Sequence, residues 1–124
     1  MTEVFAGLIR QFWKTTADRD WEGLGKVVHE HVLYEVPQTR ERVRGRAGFV
    51  EFFATYPGEW TLEVESIVND DKQAVTKIAF NVDGASVTGI TFFEFRDRLI
   101  SRITDYWPES YDPPPRMTPH VERY

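Results

Sequence analysis

The 124-residue chain has no cysteine. That excludes disulfides, thiol nucleophiles and thiolate metal sites, and it fits a reducing, cytoplasmic setting. Basic charge is not in excess: 15 Lys and Arg stand against 20 Asp and Glu, a net charge of −5. Neutralising a phosphate backbone needs a basic surface, so nucleic acid is not an expected partner. Long hydrophobic runs are also missing. The opening "MTEVFAGLIRQFWK" lacks the basic start and apolar stretch of a signal peptide, and charges interrupt every apolar segment. Neither a signal peptide nor a membrane-spanning helix is expected. A Gly-rich phosphate loop is absent too.

Aromatic residues, by contrast, are abundant. They make up 15% of the chain, including 4 Trp and 9 Phe. So many large rings in one domain-sized chain call for deep burial, a lined cavity or an interface.

Periodicity orders the elements. Val4, Phe5, Leu8, Ile9, Phe12 and Trp13 define a helix with one wide apolar face. "TADRD" ends it, and Asp20 is placed to cap a second helix carrying Trp21, Leu24, Val27 and Val28 on one face. Trp21 is therefore read as structural. Val32, Tyr34 and Val36 alternate as a short strand stopped by Pro37. After "RERVRGR", in which Gly45 is a break, Phe49, Val50, Phe53 and Tyr56 mark a third helix.

From Trp60 the period becomes two. Trp60, Leu62, Val64, Ser66 and Val68 are expected on one face, with Ile67 the exception. "NDDK" and "DGA" read as turns on either side of a strand with Thr76, Ile78, Phe80 and Val82 on its apolar face. "SVTGITFFEF" is apolar on both faces, as in a doubly covered central strand, with Gly89, Thr91, Phe93 and Phe95 along one of them. "RDR" is a turn without the customary Gly, and "LISRITDYW" is the last strand. Early helices followed by a late meander give an α+β class: a curved antiparallel sheet wrapped around three helices, forming a cone with a central pocket. Residues 1–107 form this domain. Residues 108–124 form a Pro-rich tail expected to pack on it or on a dimer partner.

Four stretches carry a family resemblance: the amphipathic first helix followed by "DRDWEGL", the aromatic in "VLYEVP", "GRAGFVEFF", and "ISRITDYW" with its acid two residues before a Trp. In this order the chain resembles the SnoaL-like group of the nuclear transport factor 2-like superfamily, from about Val4 to Trp107. The resemblance implies a cone-shaped α+β barrel, a central pocket and often a homodimer across the sheets. It does not select an activity, because the superfamily holds cyclases, isomerases, hydrolases, dehydratases and non-catalytic members. The Asp-Arg-Asp set of epoxide hydrolases is not matched here. The first-helix Tyr of ketosteroid isomerases is not matched either, since Phe12 and Trp13 occupy that helix.

One inward carboxylate suffices for a SnoaL-like site, and Asp105 shares its strand parity with Ile103 and Trp107. Desolvation there would raise its pKa into the range of a general acid or base. Asp105 is thus the candidate proton carrier. Tyr34 is the candidate donor to a developing oxyanion. Trp13, His31, Phe53, Phe80, Thr91, Phe93 and Trp107 are the candidate ligand-binding residues. "HEH" (His29 and His31) lacks metal-ligand spacing, and neither a metal nor a cofactor is expected. Arg40, Arg42, Arg44 and Arg46 alternate, as an anion site would, as a strand edge protected by charge would, or as arginines paired with Glu63 and Glu65 would.

These residues point to cofactor-free isomerisation, cyclisation or dehydration of a small, largely apolar metabolite. A non-catalytic binding module and a dimeric interaction protein of the same fold stand as alternatives. The two apolar faces of Val87 to Phe95 further suggest a homodimer.

Overall fold

The computed structural model describes residues 2–124. The apolar face at the N-terminus becomes α1 (Thr2–Ala17), which buries Phe5, Ile9, Phe12 and Trp13. Thr15 and Thr16 are buried beside them because their hydroxyls donate to the carbonyls of Gln11 and Phe12 one turn back. Asp20 caps α2 (Trp21–Val27), accepting from the Gly23 N–H at 2.9 Å. A Cβ on Gly23 would lie 2.4 Å from that carboxylate, so the cap requires glycine. Trp21 is half-buried, its ring centroid 6.5 Å from that of Trp60, and so packs on the core edge rather than inside it.

Helix α2 runs straight into β1 (Val28–Val36), four residues before the expected strand start. Then follow β2 (Glu41–Arg44), α3 (Arg46–Ala54) and the strands β3 (Trp60–Asn69), β4 (Gln73–Val82), β5 (Ala85–Arg96) and β6 (Leu99–Tyr106). The six strands form one sheet in the order β2-β1-β6-β5-β4-β3, open at both edges, with the helices on its concave face.

The sheet is mixed rather than antiparallel as expected, because β1 pairs with β6 in parallel. No hairpin joins these two strands, so local turn chemistry does not set their relative direction. The other pairings are antiparallel. Two of the connecting turns place both central residues at positive φ: Asp83-Gly84, and Asp97-Arg98 without the customary glycine.

A register shift between Val64 and Ser66 swaps the faces of β3. Ile67 turns toward the core and Val68 is 68% exposed, reversing the expectation for both. Strand β5 is central but not doubly covered. Its concave face buries Gly89, Thr91 and Phe93, while Phe92 on the other face is 42% exposed and meets Tyr106 edge to face. The core is a continuous aromatic and aliphatic cluster in which Phe12 touches Trp13, Phe49 and Phe93. Residues 108–124 carry no helix or strand and expose Tyr111, Met117, Val121 and Tyr124 in the single chain.

Candidate active site

Strand alternation places Ile103 and Asp105 on the concave face of β6, and Trp107, just past its end, keeps the same parity. Thr91 is the direct cross-strand partner of Asp105 on β5, and its hydroxyl donates to Asp105 Oδ1 at 2.5 Å. From the other side Tyr34, on β1, donates its phenol to Asp105 Oδ2. The parallel pairing of β1 and β6 brings this tyrosine alongside, Tyr34 aligning with Ile103. Asp105 is only 2% exposed. Burial pushes its pKa up to about 6 while the hydrogen bonds from Thr91 and Tyr34 pull it down, so desolvation wins. Burial, then the neighbouring Asp105 charge, raises the Tyr34 pKa, so Tyr34 remains a phenol and a donor.

Above this pair lies a cavity of about 100 Å³. Trp13 of α1, Phe53 of α3, Phe80 of β4 and Trp107 after β6 wall it, with Tyr34 and Asp105 at its base. The rings brace one another. Tyr34 packs on Phe52 and Phe53, Phe80 stacks on Trp60, and Tyr56 and Trp107 meet Phe80 edge-on. Trp13 Nε1 donates to Thr76 at 3.2 Å, fixing its ring. The Trp107 backbone is clamped by Gln38, which donates to its carbonyl at 2.9 Å and accepts from its N–H. The Trp107 ring rests on Gly89, where an added Cβ would lie 2.9 Å from Trp107 Cζ3. Arg19 lies over the Trp60 ring at 4.1 Å and donates to the Trp60 carbonyl at 2.5 Å.

Two candidate ligand residues, Thr91 and Phe93, sit beside the cavity but do not line it. Thr91 holds Asp105 from beneath, and Phe93 packs under Phe12 and Trp13. A third, His31, is not at the pocket. Its side chain is 72% exposed, because it shares strand parity with Leu33 and Glu35 on the face opposite Tyr34. Its neighbour His29 accepts from the His31 N–H through Nδ1 and meets Asp97 through Nε2 at 3.2 Å. Among the described residues, no group of three or more His, Asp or Glu is disposed to hold a metal ion.

The arginine row does not share a face. Arg40 sits in a turn at φ 60, and Arg46 begins α3 and donates to the Val28 carbonyl. Arg42 pairs with Glu35, not with Glu63 or Glu65, and Arg102 reaches the same carboxylate at 2.6 Å. Those two guanidinium groups hold the Glu35 pKa below the usual range.

Sequence reasoning passed over Phe52, Tyr56, Trp60 and Glu41 as cavity residues. Phe52 and Tyr56 were within reach: with Phe53 they form an i, i+1, i+4 aromatic set at the end of α3. Glu41 was not, because it belongs to the short β2, which has no clear alternation. Burial and the charges of Asp105 and Glu41 raise the Tyr56 pKa, which places its hydroxyl in the field of both carboxylates.

The sequence profile of the SnoaL-like domain matches residues 9–103, and the chain belongs to the SnoaL-like family. A candidate ketosteroid isomerase from Kribbella flavida is 39% identical. Its structure superposes with a TM-score of 0.93, covering 99% of this chain and 91% of that one. A nuclear transport factor 2-like protein of unknown function from Burkholderia xenovorans is 20% identical, with a TM-score of 0.82 over 98% of this chain and 96% of that one. A candidate polyketide cyclase from Xanthomonas campestris shares the fold at 22% identity, with a TM-score of 0.71 over 86% of this chain and 92% of that one. No curated protein matches the chain in sequence. No helix among the described residues is long and apolar enough to cross a membrane.

Proposed function

We propose that the chain is a cofactor-free acid/base enzyme of the isomerase, cyclase or dehydratase kind, acting on a small, largely apolar metabolite. The observation that carries this reading is a buried carboxylate, flanked by two hydroxyl donors, at the base of an aromatic cavity. A pKa of about 6 leaves Asp105 mostly ionised at neutral pH and able to exchange a proton there. In the simplest step, Asp105 takes a proton from a carbon next to a carbonyl, and the C–H electron pair moves onto the carbonyl oxygen as an enolate. Protonation weakens Asp105 as an acceptor and frees the Tyr34 hydroxyl to donate to that oxygen. Asp105 then returns the proton to carbon.

A non-catalytic binding role is favoured by one observation: both hydroxyls beside Asp105 already donate to it. Proton exchange separates the two readings. Small ketones in D₂O, followed by loss of their α-proton NMR signals, should exchange faster with wild type than with Asp105→Asn by about 10²-fold or more. Equal rates would leave the binding role.

The protein is further proposed to work in the cytoplasm as a homodimer joined over the outer sheet face around Phe92 and Tyr106, with the tail lying on the partner. Sedimentation at micromolar concentration should give twice the 14.5 kDa chain mass. The monomer mass alone would contradict this.

A further inference from the structure

Charge around the cavity is one-sided. Asp105 on β6 is at its base and Glu41 on β2 is at its lining, yet no Lys, Arg or His lines it among the described residues. The other titratable groups facing it are Tyr34 on β1 and Tyr56 after α3, both with pKa values raised by burial. Helix α1 and strands β3 and β4 bring none: they contribute Trp13, Thr16, Trp60, Leu62, Ile78 and Phe80. Asp105 is answered only by neutral hydroxyls. A buried carboxylate without a counter-cation leaves electrostatic attraction available to a ligand.

The walls are aromatic. Tyr56, Phe80 and Trp107 meet edge to face, and Phe52 meets Tyr56 in the same way. Ring faces are negative, and clustered faces form the cages that receive alkylated ammonium groups. Arg19 lies over the ring of Trp60, another wall residue, and is not itself among the cavity residues. The volume of about 100 Å³ is smaller than the engineered cavity of roughly 150 Å³ that admits benzene. It therefore suits a compact head group, with the rest of the molecule extending through the mouth.

We propose that the ligand carries one cationic centre, a protonated or quaternary amine on a short carbon skeleton, seated on the rings of Tyr56, Phe80 and Trp107 with Asp105 and Glu41 as its counter-charges. This rests on the reading of the cavity as a small-molecule site and narrows the substrate class. The bound cation favours ionised Asp105, which is its proton-accepting form. Binding is therefore coupled to proton release, and affinity rises as pH rises through the Asp105 titration. A neutral ligand does the reverse. It removes water from the carboxylate, favours the protonated acid and binds more tightly at low pH.

Choline and its uncharged carbon analogue 3,3-dimethylbutan-1-ol have nearly the same shape and test this by calorimetry on the full chain. Choline should bind about tenfold or more tightly than the alcohol near neutral pH, the scale of a desolvated cation–π contact. Its affinity should fall as the solution is acidified from about pH 8 to about pH 5, where Asp105 protonates. Phe80→Leu and Glu41→Gln should each reduce the preference. The pH dependence needs no variant, so it remains decisive should either substitution unfold the chain. An alcohol that binds as well as choline, or choline affinity that is flat or rises on acidification, would overturn the cationic ligand. So would failure of both compounds to bind. The proton-exchange comparison of wild type with Asp105→Asn then reads separately whether the acid/base reading has failed as well.

Discussion

Thr91 and Asp105 face each other directly across the β5–β6 ladder, with the Thr91 hydroxyl 2.5 Å from the Asp105 carboxylate. Tyr34 completes the bracket from β1. Both donors favour the charged form and oppose the burial that raises its pKa. Thr91→Val and Tyr34→Phe keep the shapes and remove one donor each. Each should move the Asp105 pKa further up, by roughly one unit or more, the worth of a hydrogen bond to a charged group. A carboxyl NMR titration of each variant checks this, and a downward shift in either would contradict it.

Gly89 sets the position of Trp107. An alanine Cβ there would come within 2.9 Å of the indole and 3.0 Å of Ile78 Cγ1. Gly89→Ala should cost about 1–3 kcal/mol through overpacking and should displace the Trp107 ring. Chemical denaturation measures the first effect. A changed Trp fluorescence spectrum in the folded protein measures the second.

The Asp97-Arg98 turn holds two non-glycine residues at φ 54 and φ 62. Arg98→Gly relieves one of these left-handed residues and gives the favoured Asp-Gly hairpin sequence. It should raise stability by about 0.5–1 kcal/mol, read as a higher denaturation midpoint. The Asp97 carboxylate remains opposite His29.

Much of the fold was legible because its elements are strongly periodic. The apolar stripe of α1, the Asp20 cap and the β3–β6 meander all follow from spacing and turn residues. The parallel β1–β6 pairing was not legible, since those strands are joined by no local turn. The β3 register shift was hidden for a related reason: one extra residue, Glu65, looks like any other polar strand position, yet it swaps the faces of Ile67 and Val68. At the site, alternation on β6 was enough to put Asp105 beside Ile103 and Trp107. Alternation on β1 also argues against His31, whose parity is opposite to that of Tyr34. Glu41 reaches the cavity only through the folding of β2 onto β1, which spacing cannot show.

Asp105→Asn should change how stability depends on pH. The folded pKa of about 6 exceeds the 3.8 of a free Asp, the value for the unfolded chain. Below about 3.8 both folded and unfolded chains hold the proton. Between that value and about 6 only the folded chain does, so this group lowers stability as pH rises across the window, and its penalty is complete above it. The full penalty is on the order of 3 kcal/mol. The variant does not titrate, so its stability relative to wild type should improve from pH 4 to pH 7 by that order, measured by urea denaturation at both values. A constant difference would contradict the sign.

The most direct test is the Asp105 carboxyl titration itself, by ¹³C NMR on the wild-type chain. A pKa near 6, well above the 3.8 of a free Asp, is the expected result. A value at or below 3.8 would mean that the Thr91 and Tyr34 hydrogen bonds outweigh burial. Asp105 would then be a structural carboxylate rather than a proton carrier.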